Sequence, residues 1–121
     1  MNNIKEYKAK LFEDIKHVDE NGQEYWLARE LQKVLDYSQW RRFENTISKA
    51  KISCDNSDLR VEDHFASIGK MINLGKGGTR NVNDYKLSRY ACYLIAQNGD
   101  SRKKVIALAQ TYFAIQTRNL V

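Results

Sequence analysis

A chain of 121 residues, 42% hydrophobic and 29% charged, is long enough to bury one core and has the balance typical of globular domains. No stretch approaches the roughly 18 apolar residues of a membrane span, and MNNIKEYKAK lacks the apolar run of a secretory signal. Two separate cysteines, Cys54 and Cys92, suit a reducing cytoplasm better than a disulfide framework. We therefore expect a single cytoplasmic domain over residues 1–121, with no membrane partner, no cofactor and no metal site.

The basic residues are unevenly distributed. Lys and Arg outnumber Asp and Glu by 20 to 15, which gives a net charge of +5 and a pI near 9.2, and a pI above 9 is typical of nucleic-acid-binding domains. Residues 70–104 contain only two acids and eight basic residues, namely Lys70, Lys76, Arg80, Lys86, Arg89, Arg102, Lys103 and Lys104. This segregation predicts either a positive face for a nucleic acid or a solvated surface without a partner.

The first predicted elements are a helix and a short hairpin. Apolar residues that lie on one helical face open the chain, at Ile4, Tyr7, Leu11, Phe12 and Ile15. The pair Asn21-Gly22 is a strong hairpin signal, and it predicts a two-stranded ribbon between residues 17–18 and 24–26.

Two helices joined by a short turn are predicted over residues 27–51. The first begins near Ala28 and ends near Asp36, and Ser38 can cap the second, whose inward stripe includes Trp40 and Phe43. This is the pattern of a helix-turn-helix, in which the second helix enters the major groove with its N-terminus first. The residues on its outer face that suit DNA contacts are Gln39, Arg41, Arg42, Asn45 and Lys49. Any two packed helices give the same pattern, so a purely structural role stays open.

Residues 52–87 are predicted as a loop, a helix and a second hairpin. The loop covers residues 52–60, and the helix covers 61–71 with Phe65 and Ile68 inward. Strands at 72–74 and 82–87 then flank a glycine-rich tip that carries Lys76 and Arg80. This hairpin is either a basic wing that lies against DNA or a disordered surface hairpin. Its glycines do not have the spacing of a phosphate-binding P-loop.

The last third of the chain predicts a core made of two helices. Ser88 can cap the first helix, Asn98-Gly99 suits a left-handed stop, and Asp100 or Ser101 can cap the second. Arg102, Lys103 and Lys104 give this second helix a basic start. We expect Trp40, Leu94, Tyr112 and Phe113 to be core residues rather than a platform on which bases stack.

No pattern in the chain predicts catalysis. The run Glu62-Asp63-His64 is more typical of the exposed first turn of a helix than of a general base. From the residues alone we predict a non-enzymatic, mainly helical α+β domain with two short antiparallel ribbons.

Longer runs of residues carry a resemblance to a known family. The segments EYWLAREL at 24–31, LDYS at 35–38, LSRYACYL at 87–94 and QTYFAIQTR at 110–118 resemble the N-terminal region of bacterial DNA-damage-inducible D proteins. The order of elements more distantly resembles the Bro-N domain of phage antirepressors and baculovirus repeated proteins. One departure is Asp36, where we expect Gly before the Tyr. Because these families are longer, the chain is expected to be the N-terminal part of a larger architecture.

The resemblance implies a regulatory factor of the bacterial DNA-damage (SOS) response, for which two functions are open. The first is DNA binding through the outer face of the second helix, the glycine-rich hairpin and the basic start of the last helix. Its site comprises Gln39, Arg41, Arg42, Asn45, Lys49, Lys76, Arg80, Lys86, Arg102, Lys103 and Lys104. The second is binding to recombination or repair proteins, with any DNA affinity incidental.

Overall fold

The computed structural model describes the backbone of residues 11–118 and the side chains of residues 11–114. Its strands are β1 (His17–Val18), β2 (Glu24–Leu27), β3 (Phe65–Asn73) and β4 (Thr79–Leu87). Its helices are α1 (Ala28–Val34), α2 (Trp40–Asn56), α3 (Val61–His64), α4 (Arg89–Gln97) and α5 (Lys104–Arg118). A helical turn at residues 11–14 precedes β1, and the rest of the predicted N-terminal helix lies outside the described residues. Within residues 11–118, no helix has both the length and the apolar character that a bilayer span requires.

The four strands form one antiparallel sheet in the order β1-β2-β4-β3. β2 joins the two hairpins by pairing with β4, where Trp26 lies opposite Leu87. The α+β class is therefore confirmed, but the two ribbons predicted as separate are parts of a single sheet. Helices account for about 50% of the described residues and strands for 23%, so the fold is mixed α+β, and the prediction of a mainly helical domain is not confirmed.

The first hairpin agrees with its prediction. His17 pairs with Tyr25 and Val18 with Glu24, and Gly22 supplies the left-handed turn position with a φ of 78°. The Asp19 carboxylate accepts hydrogen bonds from the backbone N–H groups of Asn21 and Gln23, at 2.8 and 2.9 Å. Local turn chemistry is enough to specify this element.

The helix predicted over residues 61–71 is wrong beyond its first turn. It ends at His64, and the chain continues as the nine-residue strand β3. Phe65 and Ile68 have helical spacing, but Gly69 in a helix interior costs about 1 kcal/mol. The strand instead pairs with β4 along its whole length, from Phe65 opposite Leu87 to Asn73 opposite Thr79.

Three helix ends differ from expectation, and the first is the C-terminus of α2, which extends to Asn56 within the stretch predicted as a loop. α2 begins after Gln39 without a side-chain cap, so Ser38 does not serve as its N-cap. Neither Asn98 nor Gly99 adopts a positive φ after α4. Gly99 instead permits close packing, because a Cβ atom there would lie 2.9 Å from Cγ2 of Ile106. By contrast, the expected cap of α4 is present, and Ser88 Oγ accepts a hydrogen bond from the Ala91 N–H at 3.0 Å.

The turn after α1 explains the residue that departs from the family pattern. Asp36 has a φ of 62°, in the left-handed region where glycine is unstrained. Aspartate is among the few other residues that this region tolerates. The tight helix end is therefore retained despite the substitution.

The core lies between the sheet and helices α1, α2, α4 and α5. Its largest fully buried side chains include Phe12, Trp26, Phe43 and Phe113, and Trp26 Nε1 donates a hydrogen bond to the Phe12 carbonyl at 2.9 Å. The predicted burial of Leu94 and Phe113 is confirmed. Trp40 and Tyr112 pack against this core but are only half-buried.

Candidate nucleic-acid interface

The outer part of the β3–β4 hairpin projects from the domain as a two-stranded arm, defined here as residues 68–83. Within it only Ile72 and Val82 are half-buried, and every other residue is exposed. The turn is closed by a hydrogen bond from Leu74 N–H to the Gly78 carbonyl at 2.9 Å. Five cross-strand pairs lie within the arm, from Gly69 opposite Asn83 to Asn73 opposite Thr79, and at a rise of about 3.4 Å per residue they extend about 17 Å. The hairpin is thus a regular ribbon of paired strands.

The arm carries positive charge only. Lys70, Lys76 and Arg80 lie on it, and residues 68–83 include no Asp or Glu. Among the described residues, none of these three cations has an ion-pair partner. Lys76 lies between Gly75 and Gly77, whose φ angles of 84° and 79° permit the tight tip.

The two faces of the arm differ in chemistry, because successive side chains of a strand point to opposite faces. One face has amides and a hydroxyl at Asn73, Thr79, Asn81 and Asn83, with Met71 among them. The other face has apolar and basic residues at Ile68, Lys70, Ile72, Arg80 and Val82. The polar face is therefore uncharged, and Lys70 and Arg80 lie on the opposite face of the arm.

Aromatic and cationic side chains fix the base of the arm against α2. The Trp40 and Tyr85 rings stack with centroids 6.4 Å apart. The Arg29 guanidinium carbon lies 4.1 Å from the Trp40 ring centroid, and Arg29 Nε donates to the Asn83 carbonyl at 2.7 Å. Lys51 Nζ also lies 4.3 Å from the Tyr85 ring centroid. The start of α2 is thereby held beside the amide face of the arm.

A buried carboxylate secures the same junction. Asp84 is 1% exposed, and its Oδ1 accepts hydrogen bonds from the backbone N–H groups of Arg29 at 3.0 Å and Tyr85 at 2.8 Å. Because Leu27 cannot cap α1 with its side chain, Asp84 supplies the acceptor at the N-terminus of that helix. This contact orients α1 relative to the arm.

The predicted residues of α2 form an exposed polar surface. Gln39, Arg41, Arg42, Asn45 and Lys49 are all exposed, and neither arginine has an ion-pair partner within the described part of the chain. Lys103 lies near the same helix end, since its Nζ is 5.5 Å from the ring centroid of Tyr37. Lys104 is exposed at the start of α5. The structure thus brings the basic start of α5 close to the start of α2.

Two other predicted residues are partly neutralised by acids. Lys86 Nζ lies 4.0 Å from Asp19 Oδ2 and 4.3 Å from the Tyr25 ring centroid. Arg102 forms two hydrogen bonds of 3.0 Å to the Asp100 carboxylate, and these bonds lower the pKa of Asp100. Lys86 projects among Asp19, Glu24 and Asp63 rather than beside α2. The structure therefore does not group Lys86 with the other basic candidates.

Arg89, one of the eight basic residues of the positive segment, is structural. It is 7% exposed, and its Nε and Nη2 donate to the two carboxylate oxygens of Glu24 at 2.6 and 2.9 Å. The hydrogen bonds from Arg89 lower the pKa of Glu24. This ion pair links β2 to α4, and its charge is not available to a partner.

Other polar and nucleophilic side chains within residues 11–114 take part in structural contacts. His64 Nδ1 lies 2.7 Å from Ser88 Oγ, and the same hydroxyl accepts the capping bond from the Ala91 N–H, so both contacts belong to the N-terminus of α4. Burial raises the pKa of the Cys92 thiol well above its usual value, which keeps it protonated and unreactive. Within residues 11–114, no three His, Cys, Asp or Glu side chains are grouped to hold a metal ion.

Sequence reasoning missed Arg29, Lys51 and the amides of the arm. The predicted strands at 72–74 and 82–87 already include Asn73 and Asn83, but a helix over residues 61–71 hides the pairing of Gly69 and Met71 with Asn83 and Asn81, which places the amides on one face. Arg29 and Lys51 act through contacts with residues 83–85, more than thirty positions away. A pattern that reads only local spacing gives no signal for such contacts.

The fold and this site define a small mixed α+β module with a basic β-ribbon arm. The chain belongs to the BRO family, because the model of the family's N-terminal domain matches residues 14–114. It is also 51% identical over 107 residues to DNA damage-inducible protein D of Escherichia coli (strain K12). That match covers 88% of the chain but 39% of the relative, so the chain spans well under half the relative's length. No solved structure matches the chain.

Proposed function

We propose that this domain is a non-enzymatic, DNA-binding regulatory module of the bacterial DNA-damage response that acts in the cytoplasm. The link to DNA damage rests on the name of the 51% identical relative. The DNA-binding part rests on one observation above all. The arm presents three cations without an acidic neighbour, on a ribbon that projects beyond the rest of the sheet.

Phosphate groups are the natural partners of the arm. Lys76 at the tip and Arg80 on the following strand are exposed and unpaired among the described residues, so binding a phosphate does not require breaking an existing ion pair. A projecting ribbon also lets both residues reach the DNA backbone without the domain body colliding with it. Each phosphate that is neutralised releases condensed counterions, which supplies sequence-independent affinity.

The start of α2 provides a second contact beside the arm. Arg42 lies on a 17-residue helix whose packing is fixed by Phe43 and Ile47, so its backbone is better ordered than that of a loop. Arginine can form two hydrogen bonds with guanine in the major groove. In this proposal Arg42 contributes sequence preference, whereas Lys76 and Arg80 contribute general affinity.

A specific observation supports a second candidate function, binding to a recombination or repair protein. The face of the arm opposite the amides exposes Ile68, at 37%, and Leu74 in the turn is 54% exposed. β3 is also an edge strand of the sheet, so its outer backbone groups are free to pair with another chain. If a protein partner binds in this way, removing the charges of the arm should change the affinity for that partner little.

The salt dependence of DNA binding distinguishes the two candidates. We suggest fluorescence anisotropy with one labelled duplex and one single strand of the same sequence, at 50 and 200 mM salt. If Lys70, Lys76 and Arg80 each contact one phosphate of the duplex, the slope of log Kobs against log salt should be near about −2.7. Binding should then be about 40-fold weaker at the higher salt. Binding to a recombinase filament that persists after Lys76 and Arg80 are replaced by Ala, with no DNA affinity at low salt, would favour the second candidate.

A further inference from the structure

We infer that the amide face of the arm reads A·T base pairs in the major groove, an inference that rests on the proposed function and deepens it. The side chains concerned are those of Asn73, Asn81 and Asn83, together with Met71. All four are exposed. Among the described residues, none of the three amides forms a side-chain hydrogen bond within the chain, so their donors and acceptors are available to a ligand.

The side chains of the amide face suit an A·T pair better than a G·C pair. An asparagine side chain can pair with adenine through N6 and N7, and an apolar side chain can contact the methyl group of thymine. Met71 lies directly opposite Asn81 in the ladder. One amide and one apolar group are therefore presented side by side, as the adenine and thymine edges of one base pair are.

The dimensions of the arm also suit the groove. A major groove about 12 Å wide admits a two-stranded ribbon. Asn81 and Asn83 are two residues apart on β4, which separates them by about 6.8 Å along the strand. Two base-pair steps of about 3.4 Å cover the same distance. The two amides are thus spaced to contact adenines two steps apart.

Charge around this face favours a duplex over a neutral partner. Lys70 and Arg80 lie on the opposite face of the ribbon, and Lys76 extends from its tip. When the amide face enters the groove, Lys70 and Arg80 do not contact the bases, and their long, flexible side chains reach the phosphates around the two edges of the ribbon, while Lys76 reaches them from its tip. The hydrogen bond from Arg29 to the Asn83 carbonyl holds the base of the ribbon in place.

Gly69 positions the Asn81 amide. A Cβ atom on Gly69 would lie 2.6 Å from Oδ1 of Asn81, so the amide occupies the space that a larger residue would fill. Gly69 does not have a positive φ, and replacing it with Ala does not strain the backbone. Gly69→Ala therefore displaces the end of a flexible side chain and leaves the fold intact.

The test begins with selection of binding sites from a duplex library with a randomised centre. We expect wild-type protein to enrich A·T pairs at positions two steps apart. Asn81→Ala should reduce the preference for the selected site over a scrambled duplex by about tenfold, and Gly69→Ala should reduce it in the same direction. Asn21→Ala, which removes an exposed amide from the first hairpin, is the matched control and should leave the preference unchanged.

Base analogues then identify the groups that are read. Replacing the selected adenine by 7-deazaadenine removes N7 and should weaken wild-type binding several-fold without affecting Asn81→Ala. Replacing the facing thymine by uracil should weaken wild-type protein but not Met71→Ala. Undiminished wild-type binding to both analogues, or binding with no base preference, would overturn the inference while leaving the proposed function intact. Failure to bind any duplex at low salt would overturn both.

Discussion

The ion pair between Glu24 and Arg89 allows a quantitative test of the fold. We expect Glu24→Gln to lower the free energy of unfolding at pH 7 by about 3 kcal/mol. Arg89 is 7% exposed, so the substitution leaves a buried cation whose next acidic neighbour, Glu13, lies 3.9 Å away. Breaking a buried pair from one side costs about 3–5 kcal/mol. We expect a cost at the lower end of this range, because the Glu24 side chain is still 27% exposed to water.

The pH dependence of the stability difference between wild type and Glu24→Gln is a second, independent test of this ion pair. Hydrogen bonds from Arg89 lower the pKa of Glu24, so the folded state favours the charged carboxylate. Its contribution is complete above the pKa of an unfolded Glu, about 4.3, and is lost as pH falls through the lower folded pKa. The difference between wild type and Glu24→Gln should therefore be constant from pH 7 to 5 and narrow below pH 4.

Urea denaturation followed by the fluorescence of the two tryptophans, Trp26 and Trp40, is the appropriate assay. Glu20→Gln in the exposed turn of the first hairpin is the matched control, and it should change stability by less than about 0.5 kcal/mol. A loss below about 1 kcal/mol for Glu24→Gln at pH 7 would refute the reasoning. So would a difference that persists unchanged to pH 3.

Three further substitutions test other parts of the account. Phe113→Ala should cost about 3–5 kcal/mol, because the ring is 0% exposed and contacts Phe12 and Trp26; a loss under about 1 kcal/mol in urea titration would show that it is not in the core. Asp36→Gly should be more stable than Asp36→Ala by about 1 kcal/mol in thermal unfolding, since only glycine is unstrained at a φ of 62°; equal stabilities would contradict the left-handed turn. Arg42→Ala should weaken binding to a preferred duplex by about 1–3 kcal/mol and change a scrambled duplex little, whereas equal losses on both would exclude base reading by α2.

Elements that depend on local chemistry were predictable from the sequence. The turn at Asn21-Gly22 and the cap at Ser88 need only neighbouring residues, and both are found. β3 was missed because Phe65 and Ile68 have the three-residue spacing of one helical face, whereas in the strand they lie on opposite faces. The choice between them is made by pairing with residues 79–87, which no local pattern reveals.

In the candidate site, the exposure of some cations was likewise predictable from local sequence, whereas the ion pairing of others was not. Exposure of Arg42, Lys76 and Arg80 follows from their positions on a polar helix face and a glycine-rich turn. The burial of Arg89 was not predictable, because its partner Glu24 is 65 positions earlier in the chain. Pairing of Lys86 with Asp19 has the same origin. A count of charges cannot tell cations that are free from those that are already paired.

The central claim is that the charges of the arm bind DNA phosphates, and its most direct test is the salt slope of duplex binding. The variant Lys76→Ala/Arg80→Ala removes two unpaired charges from the arm. The control Lys86→Ala/Arg102→Ala removes the same net charge from residues that face Asp19 and Asp100. We predict that the arm variant lowers the magnitude of the slope of log Kobs against log salt by about 2 units, and that the control changes it by less than about 0.5. Equal slopes for the two variants would show that the arm has no special role in contacting DNA.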